Sequence, residues 1–198
     1  MRKAILHLKQ ADPVLGAIIE RLGPLRLSYR EPSFESMVRS IAFQQLHGKA
    51  AATIYGRLVA AAGGNLTPDS VLALTEAQMR ACGLSRQKLS YIRDLAAKTL
   101  SGEVDFARLP KMTDDDVIEH LTRVKGIGVW SAQMFLMFAL RRKNVMPTLD
   151  YGINAAIKKH YRKRKMPKPR DIHKISRGWH PYCSIACFYL WRSMDVKT

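Results

Sequence analysis

One pattern recurs along this chain and restricts its fold more than any other: a helix-capping residue followed by apolar residues three or four positions apart. Asp12-Pro13 leads into Val14, Leu15, Ile18, Ile19 and Leu22, closed by Gly23-Pro24. An oxygen-bearing cap, a proline at the first helical position and a glycine stop are the signals of a helix start and end. Thr67-Pro68 and Thr75, the latter with Gln78 three residues on, start two short helices. Ser85 caps a helix whose inner face carries Leu89, Ile92 and Leu95. Thr113 with Asp116 begins another, with Val117, Ile118, Leu121 and Val124 turned inward. Phe34, Met37, Val38 and Ile41 keep the same spacing, as do Ile54, Leu58 and Ala61. No stretch alternates with period two for long enough to make a strand. The chain is expected to be all-α.

Composition narrows what such a chain binds. Of its 198 residues 47% are hydrophobic, enough to bury a core without disulfides or a metal. Lys and Arg number 33 against 16 Asp and Glu, a net charge of +17 that points to a polyanion, nucleic acid first. No apolar run approaches the ~18 residues of a membrane span, and Lys9, Asp12 and Glu20 interrupt any signal segment. No membrane partner is expected. Cys82, Cys183 and Cys187 make neither an even disulfide framework nor a four-ligand metal set, and read as core thiols of a reduced, intracellular protein. The densest charge lies in Lys158-Lys159-His160-Tyr161-Arg162-Lys163-Arg164-Lys165 and the following Met166-Pro167-Lys168-Pro169-Arg170. Like charges at that density need water or phosphates around them, so the run is either a solvated loop or a contact with a nucleic-acid backbone.

The most informative stretch is Leu121-Thr122-Arg123-Val124-Lys125-Gly126-Ile127-Gly128-Val129-Trp130-Ser131-Ala132. It joins the helix starting near Asp114 to one running through Phe135, Leu136 and Leu140. Gly126 and Gly128, one residue apart, let the backbone turn tightly and approach a ligand. The second helix then offers its N-terminal amides to an anion, with Lys125 beside them. A plain interhelical turn is the alternative.

That stretch resembles the hairpin of the helix-hairpin-helix superfamily of DNA glycosylases, which also carries a Gly/Pro-rich loop and an aspartate. The family's hairpin grips DNA phosphates beside the lesion, often with a bound monovalent cation. The resemblance therefore gives Lys125, Gly126, Gly128 and Ser131 to the DNA backbone, and Val124 and Ile127 to a Na+ or K+ ion. Val145-Met146-Pro147-Thr148-Leu149-Asp150-Tyr151-Gly152 follows at the expected distance. Pro147 falls in the loop and Asp150 on the catalytic aspartate, while Leu149 stands where relatives often have Gly or Asp. The segment from Ser40 to Ala51 resembles the Gln-Gln segment of the alkylpurine glycosylases, which implies that Gln45, Leu46 and His47 fill and probe the minor groove. Gly83 to Lys88, Gly178 to Tyr182 and Tyr189 to Arg192 resemble further helices. The match runs from about Phe34 to the end, and is to the 3-methyladenine DNA glycosylase II branch in a compact form.

The residues suit that chemistry. Breaking a base–sugar bond builds positive charge on the sugar, which a fixed carboxylate stabilises while activating water. Asp150 is the candidate; an ordinary helix N-cap is its competing role. The next acid in the chain is Asp171, so no second carboxylate protonates the leaving group. A base methylated at a ring nitrogen is already cationic and needs none. Trp130 and Tyr151 would hold it by stacking and cation–π attraction, with Trp179 read as core. Members of the family that cut the strand carry a Schiff-base lysine where this chain has Trp130, which implies excision without strand cleavage. Three scattered cysteines exclude the family's iron–sulfur cluster, and no other cofactor is expected.

The expectation is a monomer of two helical lobes, 33–140 with the hairpin and 1–32 plus 141–198. A DNA cleft would lie between them, with Asp150 facing the hairpin. Its substrate would be double-stranded DNA with an alkylated purine of the 3-methyladenine or 7-methylguanine type. A glycosylase for uncharged, deaminated or oxidised bases and a DNA-binding protein without chemistry are the rival readings.

Overall fold

The computed structural model describes residues 1–46 and 48–195, and every regular element among them is helical, as the capped apolar periods require. In chain order the α-helices are α1 (Arg2–Ala11), α2 (Pro13–Leu22), α3 (Phe34–Phe43), α4 (Gly48–Ala61), α5 (Pro68–Ala73), α6 (Glu76–Ala81), α7 (Arg86–Leu100), α8 (Asp114–Thr122), α9 (Val129–Phe138), α10 (Tyr151–His160), α11 (Pro169–Ile175) and α12 (Cys183–Asp195). They form two compact units, one of residues 1–29 with 141–198 and one of residues 30–140. No helix among the described residues is long and apolar enough to cross a membrane.

The first unit is built on α12, buried without a break from Cys183 to Leu190 and packed against α2 and α10. A helix apolar on all sides belongs inside a core. Asp12 caps α2 and is itself buried: Oδ1 accepts from the Leu15 amide at 3.0 Å, while Oδ2 accepts from the Tyr161 hydroxyl at 2.6 Å and the Trp179 indole at 2.8 Å. Trp179 is fully buried, a core residue as its sequence context suggested. The three cysteines are free and buried. Burial pushes their thiols up, Cys183 to about 12, so they are packing groups rather than nucleophiles. The basic run is only partly irregular: α10 continues through His160 and α11 begins at Pro169.

In the second unit α7 packs against α3, α5 and α6, while α8 and α9 pair as a hairpin. Ser33 with Ser36, Thr67 with Ser70, Thr75 with Gln78 and Thr113 with Asp116 form reciprocal capping boxes, and Ser85 accepts from the Lys88 amide. Each such cap is worth about 1 kcal/mol. Leu89, Ile92, Leu95, Val117, Leu121 and Val124 are buried as expected, but Ile118 is only half-buried. Ala61 is exposed, against expectation. The buried stripe of α4 is narrow, Ala51 and Leu58 two turns apart, and Ala61 falls outside it.

Candidate active site

The hairpin turn is held from beneath by α7. Asp94 Oδ2 accepts the Lys125 amide at 2.8 Å, and Lys98 Nζ donates to the Arg123 carbonyl at 2.5 Å. One turn of α7 thus grips the loop by one donor and one acceptor. Gly126 adopts φ 77°, and a Cβ there would sit 2.0 Å from the Tyr91 ring, so both conformation and space require glycine. Gly128 caps α9, whose first turn has no acidic residue and no side-chain cap. No cap side chain therefore consumes the first amides of α9. Lys125 is well exposed beside them, 3.9 Å from Asp94.

The segment after α3 is tied to that hairpin. The Gln44 side-chain amide donates to the Gly126 carbonyl at 3.1 Å. Lys88 Nζ reaches from α7 to the carbonyls of Ala42 and Gln44, both at 2.7 Å, and its burial lowers the pKa of the ammonium. These two carbonyls lie at the C-terminal end of α3, where a cation is favoured by the helix dipole as well. Gln45 then takes φ 56°, a left-handed conformation unusual for a side-chain-bearing residue, and Leu46 is 41% exposed. His47, expected to probe the groove, lies outside the described residues. Gln44, Gln45, Gly126, Trp130 and Ser131 all line one cavity of about 600 Å³ in this unit. Arg30 and Lys88 line it too. Trp130 is 43% exposed on the first turn of α9, and Ser131 is buried.

In the other unit Asp150 caps α10. Its Oδ1 accepts from the Ile153 amide at 2.7 Å and from the Trp191 indole on α12 at 2.8 Å. Asp150 and Asp12 are the buried acids among the described residues, and each caps a helix and accepts an indole. At Asp12 these donors divide between both oxygens; at Asp150 both converge on one. Gly152 makes room for this: a Cβ there would lie 3.0 Å from the Trp191 ring and 3.2 Å from Asp150. Asn154 donates to the Thr148 carbonyl at 3.1 Å and so pins the loop that delivers the aspartate. Leu149 and Tyr151, either side of Asp150, are 68% and 78% exposed.

The structure thus brings Gln45, Gly126, Trp130 and Ser131 to one cavity, and sets Asp150 between two exposed side chains in its own unit. Sequence reasoning missed Trp191, Lys88, Asp94 and Lys98. Each acts through a hydrogen bond to a residue far away in sequence, for which no local spacing exists. Val124 accepts from the Ile127 amide at 3.1 Å, which uses one of its carbonyl's two lone pairs. Among the described residues no cluster of His, Cys, Asp or Glu could hold a metal ion.

Residues 38–181 match the family described as HhH-GPD superfamily base excision DNA repair protein. DNA-3-methyladenine glycosylase 1 of Schizosaccharomyces pombe is 32% identical over 99% of this chain and 89% of its own length. Among solved structures, Schizosaccharomyces pombe 3-methyladenine DNA glycosylase in complex with abasic DNA has a TM-score of 0.87 at 32% identity, covering 98% of this chain and 97% of that one. DNA-3-methyladenine glycosidase from Bacillus halodurans has a TM-score of 0.86 at 35% identity, covering 96% and 88%.

Proposed function

This chain belongs to the HhH-GPD superfamily of base excision DNA repair proteins, and from that premise we infer that it is a DNA-3-methyladenine glycosylase. It binds duplex DNA, turns an alkylated purine out of the stack and hydrolyses the bond between that base and its sugar. The observation that carries the reading is the buried carboxylate of Asp150, fixed through Oδ1 by the Ile153 amide and the Trp191 indole. A cap alone requires one donor; the second, from Trp191, fixes the rotation of the carboxylate.

The bond from C1′ to the ring nitrogen breaks with its electron pair leaving on the base. Where that base is cationic the pair neutralises it, so no acid is needed to protonate the leaving group. The positive charge left on the sugar is stabilised by Asp150. A water then bonds to C1′ and gives its proton to Asp150, leaving an abasic site. Trp130 and Tyr151 offer exposed aromatic faces for the cationic base. Leu46 fills the gap left in the stack, with Gln45 and His47 in the minor groove, against an unstacking cost of a few kcal/mol. Lys125, Gly126, Gly128 and Ser131 take the backbone phosphates. A Na+ or K+ at the turn would be held by the carbonyls of Val124 and Ile127, and would add positive charge facing those phosphates. With tryptophan at position 130 the sugar forms no Schiff base, so the strand stays uncut. One monomer serves one lesion.

The test is release of free methylated bases from alkylated duplex DNA by the native protein and by Asp150→Asn. Release by the native protein alone, leaving alkali-labile but uncut sites, is the expected result. If neither protein releases base while both bind DNA, the alkylpurine reading falls and an uncharged lesion or a binder without chemistry takes its place.

A further inference from the structure

The charge run that begins at Lys158 forms a groove in the unit that carries Asp150. Tyr151, Ala155, Lys158, Lys159 and Arg162 follow one another along one face of α10 and its end. With Lys163, Arg164 and Met166 they line an open depression of about 550 Å³. Between Lys158 and Arg170 there is no acidic residue. None of the five cations lining the depression makes an ion pair among the described residues.

Two of those charges have a reason within the fold. Lys158 and Lys159 occupy the last turn of α10, where the helix dipole favours cations. Arg162, Lys163 and Arg164 come after the helix and have no such reason. Arg162 even opposes its own backbone. The Lys163 amide donates to the Lys158 carbonyl at 2.9 Å and the Arg162 amide to the Lys159 carbonyl at 3.4 Å. These are the two hydrogen bonds of a Schellman helix end, and the residue between them is the one that is ordinarily glycine. Arg162 holds that position at φ 52°, a strained conformation for any residue with a side chain. A guanidinium is thus kept at the mouth of a cationic groove against the local preference of the chain.

We propose that this groove is a second phosphate track, which holds the DNA backbone to one side of the lesion; it rests on the reading of the chain as a DNA glycosylase. Asp150 caps one end of α10 and Arg162 lies just beyond the other. A helix of 10 residues is about 15 Å long, roughly four to five nucleotide steps at 3.4 Å each. Arg162, Lys163 and Arg164 therefore reach phosphates within about five nucleotides of the flipped one. Arginine suits that task because its planar fork meets two phosphate oxygens at once.

The experiment measures affinity for a 25-base-pair duplex with one abasic analogue over a series of salt concentrations. Each phosphate contact contributes about −0.9 to the log–log slope. Lys163→Gln with Arg164→Gln is expected to flatten the slope by about 1.8. Arg162→Gly is expected to flatten it by about 0.9 while raising the melting temperature, and Arg162→Lys to leave the slope near native. Native slopes in the first two variants overturn the proposal. Native slopes on DNA with lost binding to anionic phospholipid vesicles or to an RNA hairpin overturn it as well, and give the groove to that polyanion. Base release by the native protein is scored alongside. Release with unmoved slopes sinks only the groove; moved slopes without release support the groove and sink the catalytic reading.

Discussion

Trp191 donates its indole N–H to the same oxygen of Asp150 that receives the amide of Ile153, at 2.8 Å from one side and 2.7 Å from the other. The carboxylate is thus fixed both as a helix cap and in rotation. Cap and catalyst make different demands, and substitutions separate them.

Asparagine caps a helix about as well as aspartate, and its carbonyl oxygen accepts the same two donors. Asp150→Asn should therefore lose base release while changing stability by less than about 0.5 kcal/mol. Asp150→Ala should lose both, at a cost of about 1–3 kcal/mol from the lost cap and two buried donors left unpaired. Urea denaturation of the two variants is the check, and equal stabilities would remove the cap from the account.

Trp191→Phe keeps the aromatic packing against Gly152 and Phe188 but deletes the N–H. One hydrogen bond to a charged group is worth about 1.5–3 kcal/mol, so single-turnover excision should slow on the order of tenfold or more. DNA affinity should be unchanged, because Trp191 acts through the aspartate. A matching loss in affinity would make it a binding residue instead.

Gly126→Ala should disrupt the hairpin on two counts, the left-handed φ and the overlap with the Tyr91 ring. Adding Tyr91→Ala relieves the overlap alone. The double variant should thus recover part of the lost DNA affinity and not all of it, with a residual strain of order 1 kcal/mol or more. Full recovery would show that only space mattered.

The hairpin turn and the capping position of Asp150 were legible in the sequence because their signals are local. Gly126 and Gly128 sit one residue apart, and Thr113 with Asp116 or Ser85 with Lys88 fall within one helical turn. The supports of the site were not legible. Trp191 lies 41 positions from Asp150, Lys88 44 from Gln44, and Gln44 82 from Gly126. Such pairs are set by how helices pack, which no period or cap encodes. His7 and Tyr29 gave no signal for the same reason: His7 meets the carbonyl of Gly178 and the ring of Tyr182, and Tyr29 lies under the guanidinium of Arg141.

Lys88→Met removes both hydrogen bonds that hold the carbonyls of Ala42 and Gln44. The segment that carries Leu46 should loosen, slowing excision of a paired lesion. A lesion opposite a mismatch costs less to flip, so its excision should fall by a smaller factor. Equal losses on the two substrates would place Lys88 outside the flipping step.

His160 hydrogen-bonds the Ser193 hydroxyl, which spends its own proton on the Leu190 carbonyl, so the imidazole is the donor. Burial, then Lys159 and Arg21, hold its pKa below the ordinary value. As pH falls through about 6.5, the unfolded chain takes up this proton before the folded one does. Stability present above that pH is therefore lost on acidification until the folded histidine is also protonated. His160→Gln should narrow the gap between urea midpoints at pH 7.5 and 5.5; an unchanged gap would assign the pH dependence to other groups.

Lys88 and Gln44 bear on the search for damage as well as on its repair. Nearly every base pair such a protein meets is intact, and each must be tested and released. A loose segment would lose conformational freedom afresh at every encounter. Clamped at the carbonyls of Ala42 and Gln44 and tethered to Gly126, a segment that probes the groove as proposed would meet each step of the helix with these attachments already made, their entropy given up once, when the chain folded. What remains to differ between one base pair and the next is the cost of opening the DNA, and a weakened pair is recognised by how little it resists.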